Sequence, residues 1–240
     1  MAEEKNETDT AKAGALRSSL TIELHSHYAI RLWEGRRRQP DDLRERGRPQ
    51  ILSMPRVIQR AGLMSRDAEG DNPYADMALL KLENALDLAT TEIQKLVDEL
   101  EATLKAIPAR ISLTDVSSVS PLNIGVFSRT PLGYRCVWLL VGYDQLAMKV
   151  FQASHYGLIS GKERDEMLSN GGHLVRKVYG IAQHYRSFAV TRADLEQKTV
   201  IASEAVKLLG DVDLEVMRGK MLSTFSPNLK KLADSSEASE

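Results

Sequence analysis

A long periodic run of apolar residues between positions 79 and 107 constrains the fold more than any other feature of this sequence. Apolar side chains recur there every three to four residues over roughly four heptads, which is typical of a helix with one buried stripe. The run predicts a helix on the order of 50 Å long, beginning at Asp71-Asn72-Pro73 and ending at Pro108. A second apolar run, from Thr130-Pro131 to Phe151, could bury the stripe within the chain. We therefore expect two long antiparallel helices, with a coiled coil between two copies as the alternative.

Capping signals and glycines divide the rest of the carboxy-terminal half into shorter helices. Ser160-x-x-Glu163 is a capping box, and Thr191-x-x-Asp194 has the same spacing. Asn170-Gly171-Gly172 is expected to break the helix that begins after Ser160, and Gly210 to end the last one. Two short runs with alternating apolar residues, 110–114 and 122–127, predict a small hairpin or edge strands.

A two-faced strand near the amino terminus is the main pointer to function. Leu20, Ile22 and Leu24 alternate with Ser19, Thr21 and Glu23, so an extended chain has one apolar face and one polar face. Ser26 is placed to cap a short helix through Ile30 and Leu32. Ser53, with Pro55 just inside, is placed to cap a second helix, and residues 62–70 are expected to be a connection.

Arginine is concentrated around this strand. Residues 17–66 contain eleven arginines, no lysine and five acidic residues, whereas the whole chain has a formal charge of −1. The arginines are Arg17, Arg31, Arg36, Arg37, Arg38, Arg44, Arg46, Arg48, Arg56, Arg60 and Arg66. A basic segment on an acidic body is common in proteins that bind nucleic acid, although a solvated surface loop would have the same composition.

No motif in the sequence demands catalysis, so we expect neither an enzyme nor a cofactor or small-molecule ligand. The segment 157–163 resembles a phosphate loop, but its glycine spacing is one residue short and Glu163 replaces the hydroxyl residue. His25 and His27 could contribute two metal ligands, but His155, His173 and His184 are scattered and Cys136 lies in an apolar run, so a metal site is not expected. The polar start of the chain and the short apolar run 136–141 favour a cytoplasmic protein without a membrane span.

The order of strand, helix and second helix resembles the ribbon-helix-helix family of DNA-binding domains. The stretches that carry this resemblance are 19–24, the helix through Ile30 and Leu32, and 52–61. The resemblance implies that the strand pairs antiparallel with its counterpart in a second copy, with its apolar residues in the dimer core. It also implies that the ribbon occupies the DNA major groove and that the second helix directs its amino terminus at a phosphate. This sequence departs from the family in a loop of about fifteen residues between the helices and in the acidic Glu23.

The resemblance assigns the residues expected to contact duplex DNA. They are Arg17, Ser19, Thr21 and Glu23 at the bases or groove, Ser53 and Arg56 at phosphates, and Arg36, Arg37, Arg38, Arg44, Arg46 and Arg48 through sequence-independent attraction. The runs 110–114 and 122–127 remain alternative candidates for the ribbon.

The whole chain is similar to the AcaB-like regulators of conjugative plasmids and integrative conjugative elements. The carrying stretches are 16–33, 72–76, 143–146 and 190–194. The similarity implies a bacterial DNA-binding transcriptional activator that promotes conjugative transfer. The ribbon-helix-helix resemblance adds that it binds a promoter operator as a homodimer. The competing hypothesis is a protein-interaction scaffold of such an element, with the stripe at 79–107 docking a partner helix.

These expectations combine into a mainly α protein with a small β component, in which a ribbon-helix-helix-like module sits on a helical body. The expected divisions are a disordered leader at 1–15, the DNA-binding module at 16–70, the body at 71–232 and an acidic tail at 233–240.

Overall fold

A computed structural model describes residues 19–37, 50–108 and 110–228. The described residues form two strands and eight helices: β1 (Leu20–Leu24), α1 (His27–Glu34), α2 (Met54–Glu69), α3 (Pro73–Lys105), β2 (Leu122–Val126), α4 (Pro131–His155), α5 (Gly161–His184), α6 (Arg192–Glu196), α7 (Val200–Leu209) and α8 (Leu214–Met217). The prediction of a mainly helical protein with a small β component is confirmed.

Helix α3 confirms the long helix predicted from the apolar stripe. Its cap is Asn72, whose side-chain oxygen accepts hydrogen bonds from the backbone N–H groups of Tyr74, at 3.0 Å, and Ala75, at 3.2 Å. Pro73 follows in the first turn, where its missing N–H is not needed. The stripe is buried within the chain, mainly against α4, so it is not available for the partner helix that the scaffold hypothesis requires.

The relative direction of α3 and α4 corrects the prediction of antiparallel helices. Arg135 pairs with Asp87 near the start of α4. Lys149 lies 3.9 Å from Glu101, about four turns further along both helices. Contacts that advance together along two helices show that α3 and α4 run parallel. The segment between them, 106–130, is long enough to return from the end of α3 to the level of Asp87, and the sequence pattern does not reveal that return.

Helix α5 continues through Asn170-Gly171-Gly172, so the predicted break there is wrong. The two glycines instead allow α4 to approach closely: a Cβ atom at Gly171 would lie 2.8 Å from the ring of Tyr143. The Tyr143 hydroxyl donates a 2.9 Å hydrogen bond to the carbonyl oxygen of Leu168, which fixes the ring over this site. The glycine pair therefore serves helix packing rather than helix termination.

The carboxy-terminal helices confirm the predicted caps and add a break. Thr191 and Asp194 form a capping box at the start of α6. Lys198 then adopts a positive φ of 52°, and Thr199 caps α7. The one helix expected between Thr191 and Gly210 is therefore two helices, α6 and α7. Arg192 joins this region to α3, with Nη1 2.5 Å from the carboxylate of Asp71 and Nη2 2.7 Å from that of Asp76.

Strand β1 pairs antiparallel with β2 of the same chain, in the register Leu20 to Val126 and Leu24 to Leu122. This edge of β1 is therefore not paired with a second copy, which corrects the expected partner. The run 122–127 supplies β2, whereas 110–114 forms no strand. The correction has a physical reason, because β2 offers a complementary alternating strand at no cost in association entropy.

One hydrophobic core joins the amino-terminal elements to the helical body. Buried side chains of β1, α1 and α2 lie in the same cluster as those of α3, α4 and α5. Helix α2 extends to Glu69, so most of the connection expected at 62–70 is helical. The proposed boundary at residues 70 and 71 remains a prediction, and the two sides of it pack together.

Candidate nucleic-acid interface

The two strands form a ribbon with one apolar and one polar face, as the alternation predicts. The apolar face consists of the cross-strand pairs Leu20–Val126, Ile22–Ile124 and Leu24–Leu122. Ile22, Leu24 and Val126 are buried against the helical body rather than in a dimer core. The opposite face presents Thr21 beside Gly125 and Glu23 beside Asn123, all four exposed. This polar face is free to meet a ligand.

Asp144 of α4 fixes the direction in which the chain leaves β1. Its buried carboxylate accepts hydrogen bonds from the backbone N–H groups of His25, at 2.8 Å, and Ser26, at 2.7 Å. The Ser26 hydroxyl in turn accepts from the N–H of Ala29 at 3.2 Å, which confirms the predicted cap of α1. A charged acceptor at two successive N–H groups holds the ribbon and α1 in one orientation on the body.

Glu23 is positioned by His25 at the end of the polar face. The His25 ring nitrogen Nδ1 accepts a 3.1 Å hydrogen bond from the N–H of Ser118, and Nε2 lies 3.7 Å from a carboxylate oxygen of Glu23. The Glu23 side chain is 58% exposed, so its carboxylate can still accept from a donor outside the protein. A carboxylate of this kind reads the amino group of cytosine in the major groove.

The structure describes seven of the twelve residues expected to contact DNA, and three of them lie on the ribbon. Ser19, Thr21 and Glu23 are exposed at or along the polar face of β1. Arg36 and Arg37 follow α1. Ser53 directly precedes α2, and Arg56 lies in the first turn of that helix. Five of the expected residues lie outside the described residues, namely Arg17, Arg38, Arg44, Arg46 and Arg48.

The described ends of the arginine-rich segment lie side by side. The backbone N–H of Arg36 donates to the carbonyl oxygen of Ile51 at 2.8 Å, and the N–H of Ile51 donates back at 3.0 Å. The Arg36 side chain is half-buried and that of Arg37 is exposed. The two described ends of this segment, at Arg36 and Ile51, therefore lie next to each other.

Ser53 occupies the capping position of α2, but its side chain makes no capping hydrogen bond. The expected cap contact is therefore wrong, although the carbonyl oxygen of Ser53 accepts the N–H of Val57 at 3.0 Å. Pro55 fills the first turn, where it removes one N–H group that an anion could have used. Arg56, in the same turn, is exposed. An anion at this end of α2 would meet the Arg56 side chain and a reduced set of N–H groups.

Sequence reasoning missed a cavity at the end of β2, of about 630 Å³, between the ribbon and α2. Phe127 lies at its rim with 72% of its surface exposed, and Arg66 and Arg129 add two cations. The available signal was the aromatic residue that ends the alternating run 122–127 and an arginine two positions later. Together with Asn123, these residues extend the candidate interface from β1 onto β2.

A second groove, of about 430 Å³, lies beside β1, where Leu20 and Ile22 meet α3 and α4. Its lining contains Leu20 and Ile22 of β1 and no residue of β2. The edge of β1 opposite β2 has no strand partner among the described residues. Trp138 stands on this groove with 61% of its surface exposed. An exposed tryptophan next to a free strand edge is typical of an interface between protein chains.

The described residues contain neither a metal-binding cluster nor a helix that could span a membrane. Within 19–37, 50–108 and 110–228, no three His, Cys, Asp or Glu side chains lie close enough to hold a metal ion. No helix in the same residues is long and apolar enough to cross a membrane.

Comparisons with known proteins identify similarity across nearly the whole chain. The family model described as "Transcriptional regulator AcaB" matches residues 12–230. Among solved structures, the chain is similar to selenomethionine-containing AcaB from uropathogenic E. coli, with a TM-score of 0.53 and 12% sequence identity over 85% of this chain and 96% of that chain. At that identity the likeness concerns the fold alone. No curated protein matches the sequence.

Proposed function

This chain belongs to the AcaB family of transcriptional regulators, and from that premise we propose that it binds promoter DNA through the polar face of its β ribbon and activates conjugative transfer genes. The single observation that carries the DNA-binding part is the ribbon itself. Its apolar face is buried on the body, while Thr21, Glu23 and Asn123 are exposed together on the opposite face. Two-stranded ribbons of this width fit the major groove.

The dimer of this proposal forms through the free edge of β1. Two copies that associate along this edge would each keep their own two-stranded ribbon for the groove, with both β2 strands on the outer sides. The groove beside this edge, which contains Trp138, would be covered at the same time. A dimer that joins two polar faces in this way matches a palindromic operator, because protein and DNA then share a two-fold axis.

Arginines next to the ribbon would supply most of the affinity. Arg37 and Arg56 are exposed, and Arg129 follows β2 on the same side as the cavity at its end. Contacts of this kind bind phosphates and leave sequence reading to the ribbon. In the proposal, residues 16–70 act as the DNA-binding module, and β2 completes it from outside that range.

Activation of conjugative transfer and action in the bacterial cytoplasm are the finer parts of the proposal. They are supported by the family and by the similarity to regulators of conjugative elements that the sequence carries. A reporter assay with the promoters of the mobile element that encodes the protein tests the direction of regulation. Activation predicts a higher reporter signal when the protein is expressed, and a lower signal would mean that the protein represses.

The DNA-binding part is tested by selection of duplexes from a random library with the full chain, followed by footprinting on the selected site. Thr21→Ala and Asn123→Ala are expected to weaken selective binding by about 1–3 kcal/mol each if their side chains read bases. Ser169→Ala, at an exposed position on α5, is the matched control and should bind as the parent does. Absence of any selected sequence, or equal losses on random DNA, would contradict base reading by the ribbon.

The dimer is tested by light scattering of the full chain with and without the selected duplex. Trp138→Lys places a charge in the groove beside β1 at an exposed position, so the monomer should keep its fold while the dimer dissociates. Lys95→Glu on the exposed side of α3 controls for a general change of charge. A parent protein that stays monomeric on the duplex would overturn pairing through β1.

A further inference from the structure

A cavity of about 500 Å³ lies between α3, α5 and α7, and its lining combines cations with an apolar floor. The cations are Lys81, Lys177 and Arg186, His184 lies beside them, and no acidic residue lines the cavity. Its floor is apolar and is formed by Met77, Ala78, Ile181 and Leu209. The volume is within the range of pockets that hold small organic ligands.

The cations of this cavity are not used by acidic groups of the described part of the chain. Lys81, Lys177 and Arg186 form no ion pair there. His184 uses its Nδ1 atom in a 2.6 Å hydrogen bond with the carbonyl oxygen of Gly180, which leaves Nε2 for another contact. Cations that form no ion pair around an apolar surface favour an anion with an apolar body.

The wall of the cavity is bonded directly to α2. Tyr185 lines the cavity and is buried, and its hydroxyl donates a 2.6 Å hydrogen bond to the carboxylate of Asp67. Nη1 of Arg60 donates at 3.0 Å to the carbonyl oxygen of Tyr185. Both partners belong to α2, the second helix of the proposed DNA-binding module. A ligand that moves Tyr185 therefore acts on the helix that carries Arg56.

We propose that this cavity is an effector site for a small amphipathic acid, one carboxylate or sulfonate on an apolar body, and that its occupancy changes DNA affinity through Tyr185 and α2. The regulatory half rests on the proposed function, whereas the binding half does not. No residue of β1, β2 or the segment 36–37 lines the cavity, so ligand and DNA need not compete for the same side chains. The proposal departs from the expectation from sequence, which was that the protein has no small-molecule ligand.

The binding half is tested with 8-anilinonaphthalene-1-sulfonate as the anionic probe and N-phenyl-1-naphthylamine as its uncharged counterpart, both followed by fluorescence on the full chain. Replacing both Lys81 and Lys177 by Gln should weaken binding of the sulfonate at least tenfold and leave the amine within twofold. The control replaces Lys95 and Lys207 by Gln, which removes the same charge from exposed positions outside the cavity. Gly180→Leu fills the cavity without a change of charge and should abolish binding of both probes, since a Cβ there meets its nearest atom only at 4.0 Å.

Sulfonate binding that is equal in the parent, the double variant and Gly180→Leu would overturn the site. For the regulatory half, the Kd for the selected duplex is measured with and without saturating sulfonate, and at least a threefold change is expected. Linkage requires the duplex to change the Kd of the sulfonate by the same factor. Tyr185→Phe should keep probe binding and lose this coupling, and an unchanged duplex Kd in the parent would overturn regulation. If the proposed DNA binding is wrong, the parent protein will bind the probe but no duplex, and this outcome can be told apart from failure of the effector site.

Discussion

The carboxylate of Asp144 accepts a 2.7 Å hydrogen bond from the backbone N–H of Ser26, a residue 118 positions earlier in the chain. Asp144 is 2% exposed, so its carboxylate is shielded from water. The hydrogen bond connects the amino-terminal ribbon to the middle of α4. The position of the polar face on the body therefore depends on one carboxylate that contacts no DNA in the proposal.

Replacing this acceptor is expected to loosen the ribbon. Asp144→Asn presents an amide NH₂ group to a backbone donor and should cost about 1–3 kcal/mol of unfolding free energy in urea, because a buried N–H then lacks its partner. Asp165→Asn, at an exposed carboxylate on α5, should change stability by less than about 0.5 kcal/mol. Equal stability of the two variants would show that the Asp144 contact does not hold β1.

DNA binding is expected to depend steeply on salt. Log Kobs should fall against log salt concentration with a slope of roughly −0.9 for each phosphate that is neutralised. Arg37→Gln and Arg56→Gln should each reduce the magnitude of that slope by about one, with similar losses on all sequences. Arg218→Gln, far along the chain at an exposed position, is the control. A flat salt response of the parent would contradict phosphate binding by the arginines.

The packing of α5 on α4 predicts opposite effects for two glycine substitutions. Gly171→Ala places a methyl group 2.8 Å from the Tyr143 ring and should destabilise the protein by about 1–3 kcal/mol. Gly62→Ala, inside α2 with nothing within 4 Å of the new atom, should stabilise it by about 0.5–1 kcal/mol. Thermal unfolding of both variants is the measurement. A stabilising Gly171→Ala would mean that α5 can move away from Tyr143 at little cost.

The contacts of Arg192 predict a large loss of stability on its removal. Besides Asp71 and Asp76, the guanidinium donates to the carbonyl oxygens of Val216, at 3.1 Å, and Met217, at 3.2 Å. Asp76 is 5% exposed, so Arg192→Met leaves an uncompensated buried charge and should cost roughly 3–5 kcal/mol. Adding Asp76→Asn should restore part of the loss in urea unfolding, and a double variant less stable than Arg192→Met would contradict this explanation.

Alkaline pH is expected to destabilise the fold. Burial raises the pKa of the Cys136 thiol from 9.0 to about 12 and that of the Tyr143 hydroxyl from 10.0 to about 12. It also raises the pKa of Tyr185, whose hydroxyl is further held by its hydrogen bond to Asp67. The folded state thus keeps protons that the unfolded state releases, so this stability is complete below about pH 9 and is lost as the pH rises toward 12.

The measurement is the Tm at pH 8 and at pH 10.5, together with the reaction of Cys136 with a thiol reagent. The Tm should be lower at pH 10.5, and the thiol should react only as the protein unfolds, since Cys136 is completely buried. Cys136→Ala should show a smaller drop between the two pH values than the parent. An unchanged Tm, or rapid labelling of the folded protein, would contradict the burial argument.

Local features of the fold could be predicted from the sequence because their causes are local. The caps at Asn72 and Ser160 and the stripe of α3 are each encoded within a few residues of where they act. The same holds for the two-faced strand, so the polar residues of β1 could be identified before the structure. Of the candidate site, the half on β1 was accessible in this way.

Features that depend on distant partners could not be predicted. The partner of β1 is a strand about a hundred residues away, and a second copy of β1 satisfies the same alternation equally well. The parallel direction of α3 and α4 depends on the path of the segment between them. Gly171 breaks a helix by propensity, and only the ring of Tyr143 explains why it remains inside one.

The paired backbone bonds between Arg36 and Ile51 have a consequence for how relatives of this protein can diverge. They close the base of the arginine-rich segment, so its length can change there without moving either helix. Doubling the number of flexible residues between two fixed chain ends costs only about 0.6 kcal/mol in closure entropy. Arginines between positions 37 and 50 can therefore be gained, lost or neutralised among relatives, which would change the strength of promoter binding while α1 and α2 keep their positions.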